Sequence, residues 1–266
     1  PGRCLHEWRP HDQRHRHWAQ DTEPGCLAPL PGGGLLLARR DGLWRFDRSN
    51  GRGERLAAPP YDPALERFND GKADAQGRLW VGTIDDARQP HSALYCWEGG
   101  EFRVMAQGIT TSNGLAWSPD GGQLYWADTK AHEVYRLPFD VETAALGERA
   151  LFARFEPRDA ALPLSCYGGR PDGAAVDEQG CYWVAMMEGQ RLLRLSPQGQ
   201  VLQEIALPVR CPTMPTFGDA DLRTLYLTTA REKRPPEELA AQPWAGCVLK
   251  LRVAVAGLPA HLARLD

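Results

Sequence analysis

The sequence is short of several things, and each shortage removes a class of function. No run of about 18 apolar residues occurs among its 266, so no segment is expected to cross a bilayer as a helix. Basic residues are not in excess: 31 Lys and Arg stand against 34 Asp and Glu, a net charge of -3, which argues against a general nucleic-acid binder. There is no G-x-S-x-G elbow, no P-loop and no dinucleotide fingerprint. The seven cysteines, Cys4, Cys26, Cys96, Cys166, Cys181, Cys211 and Cys247, are odd in number, scattered and never in C-x-x-C. They read as free thiols in a reducing, cytoplasmic compartment rather than as a disulfide framework or a zinc site. Long stretches of helical period are missing as well.

What is present is a repeated strand pattern. Hydrophobic residues make up 42% and charged residues 24%, enough apolar surface for a sizeable core. Five segments share a template of small or acidic residues and Gly followed by an alternating apolar strand. They are PGGGLLLARR from Pro31, DAQGRLWVGT from Asp74, SPDGGQLYWADT from Ser118, DEQGCYWVAM from Asp177 and GDADLRTLYLTT from Gly218. Their spacing of roughly 40 to 60 residues is that of propeller blades rather than of shorter solenoid repeats. A further strand follows most of them, as in GLWRFD, SALYCW and RLLRLSP. Cys4-Leu5-His6-Glu7-Trp8-Arg9 resembles the third strand of a blade whose first two strands lie before Pro1. The expected fold is all-β, a six-bladed β-propeller with an incomplete first blade, forming a single domain over residues 1–266.

Three polar motifs fall at the same place in the repeat: Asn69-Asp70-Gly71, Ser112-Asn113-Gly114 and Pro171-Asp172-Gly173. A lone Asn-Gly or Asp-Gly marks a turn. Three in register along strands that line a common channel gather side chains at one point. Register set by the Gly gives Asp70, Asn113 and Asp172, with Pro24 and Thr213 at the matching positions of two other blades. Carboxylate and amide oxygens suit Ca²⁺, Mg²⁺ or Mn²⁺, and Zn²⁺ would be atypical without His or Cys. His6, His11, His15 and His17 crowd the start of the chain, but Arg14 and Arg16 between them would repel a cation, so that stretch reads as a solvated face. The nine Trp residues sit mostly in the blade templates and read as core. Met186-Met187 follows a strand and reads either as an apolar pocket wall or as gap filling.

These stretches resemble the gluconolactonase, SMP-30 and luciferin-regenerating-enzyme family, which includes regucalcin. The resemblance is carried by ERFNDGKADAQGRLWVGT (66–83), TTSNGLAWSPDGGQLYWADT (110–129), PDGAAVDEQGCYWVA (171–185) and PTMPTFGDADLRTLYLTTAR (212–231). It implies one divalent metal, Ca²⁺ first with Mg²⁺, Mn²⁺ or Zn²⁺ as alternatives, held by Asn113, by Asp172 and by a Glu from a G-E-x-P-x-W segment that would lie upstream of Pro1. It also implies that Arg67 and Asn69 face substrate and water, which moves the third in-register position from Asp70 to Asn69. In a regular strand neighbours point to opposite faces, so only one of those two lines the channel. Asp219 stands where relatives often carry Gly, which bears on local turn geometry alone.

The expected chemistry is hydrolysis of a sugar lactone to the aldonic acid. Asp172 acts as metal ligand and proton acceptor, Asn113 completes the coordination, and Arg67 contacts ring hydroxyls or the developing oxyanion. Asn69 orients water or a substrate hydroxyl, and Asp85 and Asp86 reach sugar hydroxyls from the loop after Val81-Gly82-Thr83. Two other readings stay open on sequence: a non-catalytic propeller that binds Ca²⁺ or a carbohydrate, and the same fold acting on a phosphotriester or aryl lactone. The expected partner is a small sugar lactone, with no nucleic acid and no membrane, the protein being a monomer or weak homodimer.

Overall fold

A computed structural model of the chain describes residues 2–265. They fall into two compact units, the first running to Ile109 and taking in the chain from His261, the second covering Thr110–Ala260.

The first unit opens with a two-stranded sheet, β1 (Cys4–Arg9) against β2 (Arg14–Ala19). Two four-stranded antiparallel meanders follow. One is β3 (Pro24–Pro29), β4 (Leu35–Arg39), β5 (Gly42–Asp47) and β6 (Arg52–Ala57). The other is β7 (Glu66–Ala73), β8 (Leu79–Asp85), β9 (Ser92–Glu98) and β10 (Glu101–Ile109). The second unit has β11 (Ser112–Trp117), β12 (Gln123–Asp128), β13 (Glu133–Pro138) and β14 (Ala150–Arg154) in one sheet. Its second sheet holds β15 (Arg170–Val176), β16 (Tyr182–Met187), β17 (Arg191–Leu195) and β18 (Val201–Ala206). Its third holds β19 (Pro212–Gly218), β20 (Thr224–Thr229) and β21 (Val248–Arg252), with the short helix α1 (Pro236–Ala241) between the last two strands.

The all-β expectation holds, but the blade count does not. Five sheets have the three or four strands of a blade, so five blades stand where six were expected. Among the described residues the segment at Cys4–Arg9 pairs only with β2, and a two-stranded ribbon lacks the inner strands that make a blade.

In two of the repeats the template works through one aspartate at the turn. Asp74 accepts from the amides of Gln76 and Arg78, each at 3.0 Å, and its second oxygen takes Trp80 Nε1 at 2.9 Å and Arg78 Nε at 2.7 Å. Asp177 repeats this with the amides of Gln179 and Cys181, Trp183 Nε1 at 2.9 Å and Arg194 Nε at 2.7 Å. Both carboxylates are buried, so the pattern also satisfies a charge that would be costly alone. Asp219 varies the theme, holding Thr224 Oγ1 at 2.6 Å and Tyr226 Oη at 2.8 Å. Trp80 and Trp183, so fixed, are fully buried core residues, as is Trp126, whose Nε1 donates to Ser112 Oγ at 2.7 Å. In the first unit Phe68, Leu79, Val81 and Trp97 pack with Leu36 and with Ala263 of the C-terminal stretch. In the second, Tyr125, Tyr182, Val184 and Leu193 form one cluster, and Trp183, Leu192 and Leu225 another. All seven cysteines are free thiols. Among the described residues no helix is long and apolar enough to cross a membrane.

Candidate functional site

The three motifs lie on the first strands of their sheets, and each of those strands carries a β-bulge at the motif. In β7, Asn69 and Asp70 fall between the pairs Phe68–Thr83 and Gly71–Val81, so the two oppose a single residue. In β15, Asp172 and Gly173 do the same between Pro171–Met186 and Ala174–Val184. In β11 the extra residue follows Asn113, between Asn113–Ala127 and Ala116–Tyr125. A bulge breaks the alternation of a regular strand and re-aims the side chains beside it. The rule that only one of two neighbours faces a given side therefore does not apply to Asn69 and Asp70. By ladder position Asn69 corresponds to Asp172, and Asp70 to Gly173.

Neighbouring first strands also approach closely at these bulges. A Cβ on Gly25 would lie 2.5 Å from the carbonyl oxygen of Phe68 and 2.8 Å from that of Asn69, and a Cβ on Gly114 would lie 3.0 Å from that of Asp172. The residue after each turn position is thus glycine because the neighbouring first strand leaves no room for a side chain.

In the first unit, Arg67 Nη1 donates to Asn69 Oδ1 at 2.9 Å and to the Phe68 carbonyl at 3.0 Å. Arg67 is largely enclosed, and burial lowers its pKa, helped by the positive charges of Arg88 and Arg40. Those charges make it a ready partner for an anionic or developing negative group. Asp70 is buried and sits with Cys26 and Lys72: burial and the Asp70 charge push the Cys26 thiol well up, while burial pulls the Lys72 ammonium down against the opposing pull of Asp70.

Asp85 and Asp86 have local work. Asp85 accepts from the amides of Ala87 at 2.8 Å and Gln89 at 3.1 Å, so its carboxylate closes the turn after β8. Asp86 forms a two-pronged pair with Arg40, at 3.0 and 3.2 Å, and the side-chain bond to Arg40 holds its carboxyl below the usual range. Arg40 also reaches Glu23 Oε2 at 3.1 Å and the carbonyls of Pro63 and Glu66 at 3.0 and 3.3 Å, tying the entry of β7 to the turn that carries Asp86. Sequence reasoning missed both Arg40 and Glu66. Glu66 Oε1 is buried without a hydrogen-bond partner, and burial, with the Asp85 charge, raises its carboxyl pKa. Its only sequence signal was its place directly before Arg67.

In the second unit Asn113 is buried, and its Nδ2 donates to Thr129 Oγ1 at 2.7 Å. That bond fixes which end of the amide is the donor and turns the oxygen the other way. The loop behind it is held by Asp128, which accepts from the amides of Thr110 at 2.8 Å and Thr111 at 3.1 Å. Asp172 lies on β15, whose backbone meets Gly114 of β11, and Tyr182 Oη donates to the Gly114 carbonyl at 2.8 Å, locking that approach. Two residues before Asp172, Arg170 pairs with Glu188 at 3.1 Å. His132 Nε2 shares a hydrogen with Tyr167 Oη at 2.6 Å, and burial lowers the imidazole pKa. Of the two methionines singled out, Met186 is fully buried core, and Met187 is partly exposed.

Among the described residues no three His, Cys, Asp or Glu side chains stand together as a cation cage. The oriented amide of Asn113 and the carboxylate of Asp172 are hard oxygen donors, and their chemistry fits an alkaline-earth-type cation better than a thiolate- or imidazole-seeking one.

Comparison with known proteins follows the same lines. The model for the SMP-30/Gluconolactonase/LRE-like region matches residues 1–231. A 6-deoxy-6-sulfogluconolactonase of Pseudomonas putida is 45% identical over 255 residues, covering 95% of this chain and 84% of the relative. A regucalcin of Danio rerio is 33% identical over 243 residues, covering 89% and 79%. The crystal structure of a calcium-binding regucalcin from Agrobacterium tumefaciens superposes with a TM-score of 0.91 at 27% identity, covering 99% of this chain and 87% of that one. That likeness shows the fold to be of the all-β propeller kind.

Proposed function

This chain belongs to the SMP-30/gluconolactonase/LRE-like family and is a gluconolactonase-like lactone hydrolase, and from that premise we propose that it opens a sugar lactone to the aldonic acid with the help of one bound divalent cation. The observation that carries the reading is the shared ladder position of Asn69 and Asp172, with Asn113 oriented by Thr129. Asn113 and Asp172 would hold the cation, Ca²⁺ before Mg²⁺, Mn²⁺ or Zn²⁺. When bound, such an ion supplies Lewis acidity toward a lactone carbonyl. Asp172 takes the proton of the attacking water as the new C–O bond forms, and the ring oxygen leaves as a hydroxyl once it regains a proton. Arg67 stabilises the negative charge on the former carbonyl oxygen. Asn69, oriented by Arg67, holds water or a sugar hydroxyl. The local partners of Asp85 and Asp86 leave them shaping the loop next to the sugar, with Asp86 the more exposed of the two.

The Pseudomonas relative is named for a lactone with a sulfonate at C6, and we take a C6-anionic gluconolactone as the first substrate to try. The remaining parts of the proposal are one functional domain over 1–266, a cytoplasmic setting, a monomer or weak dimer, and no nucleic-acid or membrane partner.

The test follows acid release from gluconolactone and 6-deoxy-6-sulfogluconolactone above the spontaneous rate, with and without chelator. Asp172→Ala should lower kcat by at least about a hundredfold, the scale of losing a general base. Chelator should abolish turnover, and added Ca²⁺ should restore it. Metal-dependent turnover unchanged in Asp172→Ala would sink the assignment.

A further inference from the structure

The first unit contains a cavity of about 1140 Å³ that the lactone chemistry does not use. Its walls come from the β3–β4 turn, the β5–β6 hairpin, the strands β1 and β2, and the C-terminal stretch at Ala263–Leu265. Six arginines line it: Arg9, Arg16, Arg45, Arg48, Arg52 and Arg264. In a chain of net charge -3 this concentration of one sign is not a product of composition.

Two carboxylates, Asp47 and Glu54, share the lining, so the arginines outnumber them three to one. Glu7 alone serves three of the arginines, Arg9 at 3.1 Å, Arg16 at 2.8 Å and Arg48 at 3.3 Å. Asp47 is turned into its own loop, accepting from the Ser49 amide and hydroxyl and from Asn50 Nδ2 at 2.8, 2.6 and 2.7 Å. The guanidinium groups of Arg45, Arg52 and Arg264 make no hydrogen bond or ion pair with any described residue. They are exposed, whereas the apolar lining at Leu30, Phe46 and Ala263 is buried, so the cavity has a closed floor and a cationic rim. A concave site in which one sign of charge predominates over a low-dielectric floor focuses its field on whatever enters.

We propose that this cavity is a binding site for a small polyanion carrying two or more phosphoryl groups. Guanidinium groups present paired donors in a planar fork that matches phosphoryl oxygens. One oxyanion engages one or two forks, while arginines drawn from four separate segments call for linked anionic groups. Inorganic oligophosphates and nucleotides share that chemistry, and the volume admits either.

Calorimetric titration of the full chain, in chelator so that no bound cation contributes, tests the site with inorganic pyrophosphate, tripolyphosphate, ATP, orthophosphate and sulfate. Pyrophosphate should bind at least about tenfold more tightly than orthophosphate or sulfate, and added salt should weaken it. The double change Arg45→Gln with Arg52→Gln should weaken pyrophosphate about tenfold, in keeping with two exposed charge contacts. Arg264→Gln should act in the same direction, and all these variants should keep the parent melting temperature. ATP tighter than tripolyphosphate identifies a nucleotide, and ATP no tighter identifies an inorganic oligophosphate; both uphold the site. Absence of pyrophosphate binding, or equal binding by parent and double variant, overturns it. Lactone turnover should be the same in parent and double variant, so failure of the lactonase reading and failure of this one are told apart.

Discussion

Replacing Gly114 by Ala tests the claim that backbone approach, more than side-chain packing, sets the geometry around Asn113 and Asp172. Gly114 has φ +63°, a conformation that costs an L-residue about 1 kcal/mol or somewhat more. Its new Cβ would fall inside contact distance of Tyr182 Oη and 3.0 Å from both Ala127 Cβ and the Asp172 carbonyl. Relief requires Tyr182 to move, which gives up its bond to the Gly114 carbonyl, worth about 1 kcal/mol. Crowding in a closed core adds about 1–3 kcal/mol, for a total of roughly 3–5 kcal/mol. Urea unfolding should show this as a lower midpoint at unchanged slope. Tyr182→Phe alone should cost about 1–2 kcal/mol, since it loses only the hydrogen bond. In the double variant the obstructing oxygen is gone, so the two changes should cost about 1–2 kcal/mol less than their sum. Strict additivity would refute the reasoning, because it would mean that Tyr182 Oη is not what the methyl group meets. In Gly114→Ala, kcat should also fall by more than the loss of folded protein explains, since the displaced backbone carries Asn113 on one side and abuts Asp172 on the other.

Two further outcomes follow from the ion pairs and the buried imidazole. Burial lowers the His132 pKa, so the unfolded chain takes up that proton more readily. The contribution is present above the ordinary value of about 6.5 and is lost as pH falls below it. Melting curves between roughly pH 5 and 6.5 should show a slope that His132→Gln flattens, and an unchanged slope would count against it. Asp86→Asn breaks the two-pronged pair with Arg40, and with the carboxylate half exposed the cost should be about 1 kcal/mol or less at neutral pH. Because Arg40 lowers the Asp86 pKa, that stabilisation is present above about pH 4 and lost on further acidification, so parent and variant melting temperatures should draw together as the pH falls below about 4.

Much of this structure could be read from the chain because its repeat is a chemical device with fixed spacing. Asp74 and Trp80, or Asp177 and Trp183, are six residues apart since one carboxylate must reach two turn amides and the indole of the next strand. The bulges were not legible. An extra residue leaves the apolar pattern on either side intact, so alternation gave no warning that Asn69 and Asp70 share one opposing residue. Resemblance chose Asn69, and in the ladder that residue takes the place in β7 that Asp172 takes in β15. The partners of Asp86 and of Glu7 were hidden for a different reason. Arg40 is 46 residues from Asp86, and Arg48 is 41 from Glu7, and no local pattern links them. The blade count failed where pairing, not pattern, decides: Cys4–Arg9 has the look of a blade strand, yet finds only β2 beside it.

The last strand of each four-stranded meander leaves a row of backbone donors and acceptors without a ladder partner, and the sheets do not guard that row equally. Arg52, Glu54 and Arg55 cover β6, and Glu101 and Arg103 cover β10, so another chain would have to strip solvent from charges to pair there. On β18, Val201 and Leu202 are 55% and 54% exposed, and Glu204, held by Arg191 at 2.7 Å, is the one charge on the strand. On β18, therefore, a single carboxylate on a six-residue strand stands against pairing with another chain.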